Sequence, residues 1–167
     1  NAAAALCAAH GVEHRIAAWQ GAKPKSGVAA AARMARHRLL AAAADSLGTD
    51  IVLTGHTLDD QAETIAMRAA RGEGTGLAGI APATLFEGRT WFLRPLLRTR
   101  REALRVELRR RGVGWIEDPT NVDRRTERAR IRADMTGSES LLARGQTARD
   151  ERIAAMQAAA GLIARTV

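Results

Sequence analysis

The sequence is poor in three features, and each shortage limits what kind of protein this is. Cys7 is the only cysteine among 167 residues, which excludes a disulfide framework within the sequence and a thiolate metal cluster. No apolar run approaches the roughly 20 residues of a membrane-spanning helix, so no membrane partner is predicted. Lysine occurs only at Lys23 and Lys25. The lone cysteine fits a reducing compartment, and we therefore expect a cytoplasmic location.

Positive charge is nevertheless abundant, and it is concentrated in one part of the sequence. The formal net charge is +8. Between Arg89 and Arg132 there are fourteen arginines and six acidic residues, a difference that equals the whole net charge. A concentrated basic segment predicts a polyanionic partner, with nucleic acid favoured over an anionic membrane.

The stretch from Ile51 to Gly76 contains the strongest signals for a ligand site. Its first three residues are apolar and lie between Asp50 and Gly55, which predicts a buried strand of a parallel sheet. Thr57 followed three residues later by Asp60 is a capping box, so a helix should begin there and end near Gly72. Sheets with this order of elements bind ligands where a strand ends and the next helix begins.

Three polar side chains of this stretch should point to one side of the helix. His56, Asp60 and Glu63 stand at positions i, i+4 and i+7. Acidic residues in a first turn also serve as caps and suit the helix dipole, so Asp60 alone would not indicate function. Glu63 lies too deep in the helix for capping, which favours a functional site over a structural role.

The rest of the sequence predicts alternating helices and strands, and hence an α/β fold with a parallel, doubly wound sheet. The Gly-rich stretch at 71–82 lacks the lysine of a phosphate-binding loop, and we interpret it as a flexible lid or a loop that contacts substrate. The remaining elements are a helix at 2–10, a strand at 12–19, a helix at 28–47, a hairpin over 83–93, a helix at 99–111 that opens with a second capping box at Thr99, and a last helix from Ser138, interrupted near Gly145.

Two groups of arginines lie on predicted helices. Arg33 and Arg36 are spaced i, i+3 on an Ala-rich helix, where two such arginines form either a solvated stripe or a binding face. The helix at 99–111 has only Leu104 and Leu108 as strongly apolar positions in its middle. Most of its arginines should therefore face water or a polyanion.

Four segments together resemble tRNA(Ile)-lysidine synthetases of the ATP-pyrophosphatase (PP-loop) superfamily. They are AARMARH at 31–37, TGHTLDDQAETIAMRAARGEGTGLAGI at 54–80, RPLL at 94–97, and WIEDPTN with RARIR at 115–132, in the family's order over roughly two thirds of the sequence. The resemblance implies an adenine-nucleotide α-hydrolase-like fold. It also implies that ATP adenylates the wobble cytidine of an isoleucine tRNA with a CAU anticodon, after which free lysine displaces AMP.

The resemblance assigns roles to the residues singled out above. His56, Asp60 and Glu63 would be catalytic, and Asp60 with Glu63 would bind Mg²⁺, which prefers hard carboxylate ligands. The nucleotide would contact Arg33, Arg36, Gly55 and His56. The tRNA would contact a set of arginines consisting of Arg71, Arg101, Arg105, Arg109, Arg110, Arg128 and Arg132. A homodimer is compatible with this assignment.

The sequence departs from the family pattern in ways that shape the expected domain organisation. The Ser-Gly-Gly-x-Asp-Ser pyrophosphate loop is absent, His37 stands where the family usually has Tyr, and the sequence opens at Asn1 without a methionine. We expect the loop to precede Asn1 and the tRNA-recognition domains to follow Val167. Within the sequence we predict a catalytic α/β domain at 1–97, its basic continuation at 98–135 and a helical linker or extension at 136–167.

Three other functions are compatible with parts of the pattern. A tRNA thiolase of the same superfamily would use cysteine pairs, which one cysteine does not supply. A metal phosphohydrolase would use His56, Asp59 and Asp60 as ligands, although the spacing of the other histidines is unsuitable. A non-catalytic RNA-binding module would use the basic segment but would leave the face of His56, Asp60 and Glu63 unexplained.

Overall fold

The structure is a computed structural model that describes residues 2–72, 75–115 and 138–166. Its chain forms two compact units, Asn1–Thr54 with Ala83–Leu93, and Gly55–Pro82 with Arg94–Val167. The elements are α1 (Ala2–Ala9), α2 (Val28–Ser46), β1 (Ile51–Leu53), α3 (Leu58–Ala69), a 3₁₀ turn (Thr75–Ala78), β2 (Ala83–Phe86), β3 (Thr90–Leu93), α4 (Arg101–Arg110) and α5 (Ser138–Thr166).

The described strands form one mixed sheet in the first unit, in the order β1-β3-β2. β1 and β3 run parallel, with Val52 opposite Phe92. β2 and β3 form the predicted hairpin and run antiparallel, because a tight turn at Glu87 and Gly88 joins them. The α/β class is confirmed. Among the described strands, β1 and β3 are the one parallel pair, and β3 also forms the antiparallel pair with β2.

Two predictions about strands are wrong. Residues 12–19 form no strand, and Val12 and Ile16 are 57% and 74% exposed. A strand needs a hydrogen-bonded neighbour, and among the described residues none pairs with this segment. β1 forms as predicted but is not buried, since Ile51 and Leu53 are exposed. β1 lies at the edge of the described sheet. Because side chains alternate along a strand, Ile51 and Leu53 point to the face opposite that of the partly buried Val52.

An aromatic cluster joins α2 to the hairpin in the first unit. The ring of His37 lies 4.6 Å from that of buried Phe92 and 5.5 Å from that of Phe86. A hydrogen bond of 2.8 Å joins the His37 Nδ1 to the Arg33 carbonyl and orients the ring. His37 therefore packs as an aromatic side chain at the position where the family usually has Tyr.

The core of the second unit lies between α3, the 3₁₀ turn and the first half of α5. Ile65, Leu77, Ala78 and Ala148 are buried together there. Gly145 does not interrupt α5 as predicted, because the helix continues through it to Thr166. A Cβ at Gly145 would collide with the side chain of Ile65. The glycine thus permits close helix packing instead of ending the helix.

The second half of the Gly-rich stretch is part of this core and is not the flexible lid that we predicted. Leu77 to Ile80 are buried, and each carbonyl from Gly79 to Pro82 accepts a hydrogen bond. The donors are Arg68 Nη1 at 2.8 Å, Gln61 Nε2 at 2.9 Å, Arg94 Nη1 at 2.9 Å and the Arg94 backbone N–H at 2.8 Å. The bonds from Gln61 and Arg68 satisfy buried carbonyls and attach Gly79 and Ile80 to α3, while Arg94 holds Ala81 and Pro82.

Several predictions lie outside the residues that the structure describes. They include the proposed tRNA contacts Arg128 and Arg132 and nearly all of the WIEDPTN and RARIR motifs, since residues 116–137 are not described. The predicted domain boundaries remain predictions. None of the helices in the described ranges is long and apolar enough to cross a membrane.

Candidate active site

The first turn of α3 is closed by the capping box that the sequence predicted. Thr57 is the extended N-cap residue, and Asp60 is the third residue of the helix. Asp60 Oδ2 accepts hydrogen bonds from the Thr57 backbone N–H at 2.8 Å and from the Thr57 hydroxyl at 2.7 Å. One oxygen of this carboxylate is therefore committed to holding the start of the helix.

The N-terminus of α4 is bound directly to that of α3. Asp59 Oδ2 accepts the Arg101 backbone N–H at 2.7 Å, and the Thr99 carbonyl accepts the Leu58 N–H at 3.0 Å. The predicted capping box at Thr99 is wrong, because the N-cap residue is Arg100 and it makes no side-chain cap hydrogen bond. A carboxylate from the neighbouring helix does the capping instead, which no spacing within 99–111 could reveal.

The side chain of Arg101 lies between two carboxylates of the predicted site. Its Nη2 is 3.5 Å from Asp60 Oδ1 and 3.7 Å from Glu63 Oε1. Glu63 is only 1% exposed, whereas a third of the Arg101 side chain is accessible. The structure thus brings Asp60 and Glu63 together around one guanidinium, which supplies positive charge to a buried acid.

His56 and Gly55 lie in the connection between β1 and α3. His56 immediately precedes the N-cap residue and is half-buried, while Gly55 is exposed. His56, Asp60 and Glu63 all make interactions in addition to those given above. The catalytic roles of these three residues remain predictions.

Asp60 and Glu63 were predicted to bind Mg²⁺. The described residues contain no group of three or more His, Cys, Asp or Glu side chains arranged to hold a metal ion. Asp60 already contacts Thr57 and Arg101, and Glu63 is buried against Arg101. Mg²⁺ commonly uses one or two carboxylates and completes its octahedral coordination with water and substrate phosphates. Mg²⁺ binding by Asp60 and Glu63 stays a prediction.

The predicted nucleotide-binding arginines belong to the first unit. Arg33 and Arg36 are both exposed on α2. Arg36 also lines a groove of about 700 Å³ between the segment at 13–19 and α2, where Trp19, Leu39 and Leu40 contribute to a largely apolar wall. Apolar walls with a few charged groups are typical of small-molecule sites.

The arginines of α4 are accompanied by acidic residues on the same helix. Glu102 lies 3.0 Å from Arg109 and 3.7 Å from Arg105, and the same two guanidinium groups lie over the ring of Trp115 at 5.2 and 5.8 Å from its centroid. Glu107 accepts hydrogen bonds from Arg110 at 2.8 Å. The prediction that these arginines face only water or a partner is therefore incomplete.

Glu107 shows the effect of these neighbours most clearly. Hydrogen bonds from Arg110 and then from Arg111 lower the pKa of its carboxyl from 4.5 to about 2. The hydrogen bond with Glu107 in turn raises the pKa of Arg110. Because these groups are exposed, solvent screens the pairs.

Comparison with known proteins supports the assignment that the motifs suggested. The chain is 54% identical over 146 residues to a tRNA(Ile)-lysidine synthase of Mesorhizobium japonicum, a match that covers 84% of the chain and 32% of the relative. It is 48% identical over 148 residues to that of Rhizobium meliloti, covering 83% of the chain and 33% of the relative. For Brucella melitensis biotype 2 the identity is 45% over 160 residues, with 90% and 36% covered.

The chain thus spans about a third of the length of the curated relatives that it matches. The family model of the PP-loop domain matches residues 1–139, a range that includes α2, β1, α3 and α4. The predicted resemblance to lysidine synthetases and their superfamily is confirmed by these matches. The chain belongs to the PP-loop domain family.

Proposed function

We propose that this chain is part of an ATP-dependent ligase that attaches lysine to the wobble cytidine of an isoleucine tRNA with a CAU anticodon. The observation that carries the proposal is 45–54% identity to tRNA(Ile)-lysidine synthases over 83–90% of the chain. The clustering of Asp60, Glu63 and Arg101 at the start of α3 supports a reaction centre there. ATP, lysine and tRNA are the proposed substrates.

In the first proposed step, the cytidine attacks the α-phosphate of ATP and pyrophosphate leaves. Negative charge develops on the transferring phosphoryl group, and fixed positive groups stabilise it. Arg33 and Arg36 are the proposed phosphate ligands, with the groove beside Arg36 large enough for an apolar-walled nucleotide contact. Gly55 leaves the backbone open for close approach by the nucleotide, because it carries no side chain.

In the second proposed step, the lysine amine attacks the adenylated base and AMP leaves. A protonated amine has no free electron pair, so the ammonium must lose a proton before it can attack. His56 is the proposed proton acceptor, because the ordinary pKa of imidazole lies near neutrality. Asp60 and Glu63 supply the negative charge that attracts the ammonium, while Arg101 offsets the repulsion between the two carboxylates.

The proposed tRNA contacts lie on Arg71 and the arginines of α4 and the basic segment. Arg105, Arg109 and Arg110 bind phosphates by exchanging an intrahelical glutamate for the tRNA backbone, which adds affinity without reading sequence. Arg128 and Arg132 are included by resemblance. Mg²⁺ is expected to travel with ATP and neutralise its phosphates, and we assign no metal-dependent step to Asp60 or Glu63. A cytoplasmic location and a homodimer are further expectations of the same proposal.

The proposal is tested by supplying the complete ligase, of which this chain is proposed to be a part, with ATP, labelled lysine and an isoleucine tRNA transcript with a CAU anticodon. We expect label in the tRNA, with pyrophosphate and AMP released in equal amounts. A matched transcript whose wobble cytidine is replaced by uridine should give neither label nor pyrophosphate. Pyrophosphate release without any lysine incorporation would contradict the ligase proposal, and incorporation of sulfur in a parallel assay with a sulfur donor in place of lysine would indicate the thiolase instead.

A further inference from the structure

We propose that Arg101 is a positioning residue that holds the carboxylates of Asp60 and Glu63, and that tRNA binding is not its principal role. The inference rests on the proposed function only where it concerns turnover. Its structural part concerns one buried carboxylate and the guanidinium beside it. The resemblance had grouped Arg101 with the phosphate-binding arginines, and the described contacts separate it from them.

Two hydrogen bonds fix the backbone of Arg101 relative to α3, independently of the contacts that its side chain makes. Asp59 Oδ2 accepts the Arg101 N–H at 2.7 Å, and the Thr99 carbonyl accepts the Leu58 N–H at 3.0 Å. These two hydrogen bonds run in opposite directions between the two helix N-termini. The guanidinium therefore starts from a set position, which reduces the entropy lost when it contacts Asp60 and Glu63.

The electrostatic reason for this position is Glu63. Its side chain is 2% exposed, so a negative charge there has lost nearly all of its hydration. Arg101 Nη2 lies 3.7 Å from Glu63 Oε1 and 3.5 Å from Asp60 Oδ1, and thus offers countercharge to both acids. Removing one partner of a buried ion pair destabilises a protein because the other charge remains uncompensated.

Arg105 provides the contrast on the same helix. Its side chain is 33% exposed, as is that of Arg101, but its acidic partner Glu102 is 59% exposed at a distance of 3.7 Å. Exposed pairs of this kind contribute little to stability, because water screens them. The acid that Arg101 faces is therefore buried and the acid that Arg105 faces is exposed, while Arg105 also lies over the ring of Trp115.

The structural part is tested by thermal unfolding of the full chain as wild type, R101Q, E63Q and the double variant. We expect R101Q to lower the melting temperature by roughly 5 °C or more, because Glu63 is left buried without this countercharge. Adding E63Q to R101Q should raise the melting temperature again, since a neutral amide needs no countercharge. R105Q is the matched control and should change the melting temperature by less than roughly 2 °C.

Additive losses in the double variant, or equal effects of R101Q and R105Q, would overturn the proposal. Because this experiment needs no substrate, it can succeed even if the ligase proposal fails. Non-additivity between neighbouring residues is the signature of a direct interaction.

The functional part is tested with R101K and R101Q in the lysine incorporation assay. We expect R101Q to lower kcat at least roughly tenfold, with an unchanged KM for ATP, because positioning affects the reacting geometry. R101K should recover part of the loss, since it restores the charge without the planar fork. The log–log salt slope of tRNA binding should stay as in the wild type. A slope reduced by about 0.7–0.9 in R101Q, with unchanged kcat, would make Arg101 a phosphate contact instead.

Discussion

Adjacent acidic residues at the start of α3 do different things, and only their surroundings separate them. Asp59 caps α4, Asp60 caps its own helix and faces Arg101, and Glu63 is buried against the same guanidinium. The sequence indicated that Glu63 lies too deep to be a cap. It could not show that Asp59 turns to another helix, because that partner is more than 40 positions away.

Glu107 offers a prediction at the level of a single proton. Its pKa is about 2 in the folded protein and 4.5 without the arginines, so the carboxyl releases its proton more readily when folded. The stabilisation is fully present above pH 4.5 and is lost as the pH falls through about 2. An NMR titration of the side-chain carboxyl carbon should show a midpoint near the lower value.

The double variant R110Q/R111Q is the control for this titration. It should return the midpoint of Glu107 towards its ordinary value, because both hydrogen-bond donors with positive charge are gone. A wild-type midpoint near that ordinary value would show that the ion pairs do not persist in solution.

At the level of elements, the hydrogen bonds between α3 and the segment from Gly79 to Pro82 depend on Gly79. This residue has φ +68°, and a Cβ there would collide with the Gln61 side chain. Gln61 is buried and binds both backbone groups of Ile80, accepting its N–H at 2.6 Å and donating to its carbonyl at 2.9 Å. Substituting Gly79 should therefore break the pairing and also strain the backbone.

We expect Gly79→Ala to cost about 2–4 kcal/mol of unfolding free energy in a urea titration of the full chain. Gly112→Ala is the matched control, since Gly112 has φ +66° with nothing within 4 Å of its added Cβ. The control should cost about 1 kcal/mol, from backbone conformation alone. If both variants lost the same stability, the contact with Gln61 would not contribute.

Local patterns predicted the elements better than they predicted what surrounds them. The capping box at Thr57, the hairpin and the extent of α2 follow from spacings of a few residues, and the structure confirms them. The helix α4 is also present, but it begins at Arg101 and without the predicted capping box at Thr99. The strand at 12–19 and the burial of β1 depend on neighbouring strands that a local pattern cannot supply. Gly145 looked like a helix breaker, because the packing of Ile65 against it is a contact between residues 80 positions apart.

At the scale of the whole molecule, the excess positive charge raises the question of what it binds. Glu102 and Glu107 already offset part of the positive charge of the α4 arginines, so that charge does not by itself require a polyanionic partner. The proposed surface is therefore one on which phosphates compete with exposed glutamates. The dependence of tRNA affinity on salt concentration should still report the phosphate contacts that form in place of these ion pairs.

Replacing Arg105, Arg109 and Arg110 together by Gln should weaken tRNA binding and flatten its salt dependence. Each lost phosphate contact should remove about 0.7–0.9 from the log–log slope of affinity against salt. A control variant of equal charge replaces Arg15, Arg38 and Arg89, which are exposed and pair with Glu13, Glu87 and Asp45. Equal slopes for the two triple variants would mean that net charge, and not α4, attracts the tRNA.

The central claim is that the acidic face at the start of α3 carries out the reaction, and Asp60→Asn tests it most directly. The amide keeps an oxygen that can accept from Thr57, so we expect a loss of at most about 1 kcal/mol in stability, the usual scale for a cap. Asp45→Asn is the control. Asp45 is exposed and pairs with Arg89, and both residues belong to the unit that does not contain Asp60.

The measurement is single-turnover incorporation of labelled lysine into the CAU-anticodon tRNA, with saturating ATP and with the complete ligase that contains this chain in excess over tRNA. We expect D60N to form no detectable product while remaining folded, and D45N to match the wild type. Near-normal incorporation by folded D60N would contradict the account and leave Asp60 as a helix cap alone.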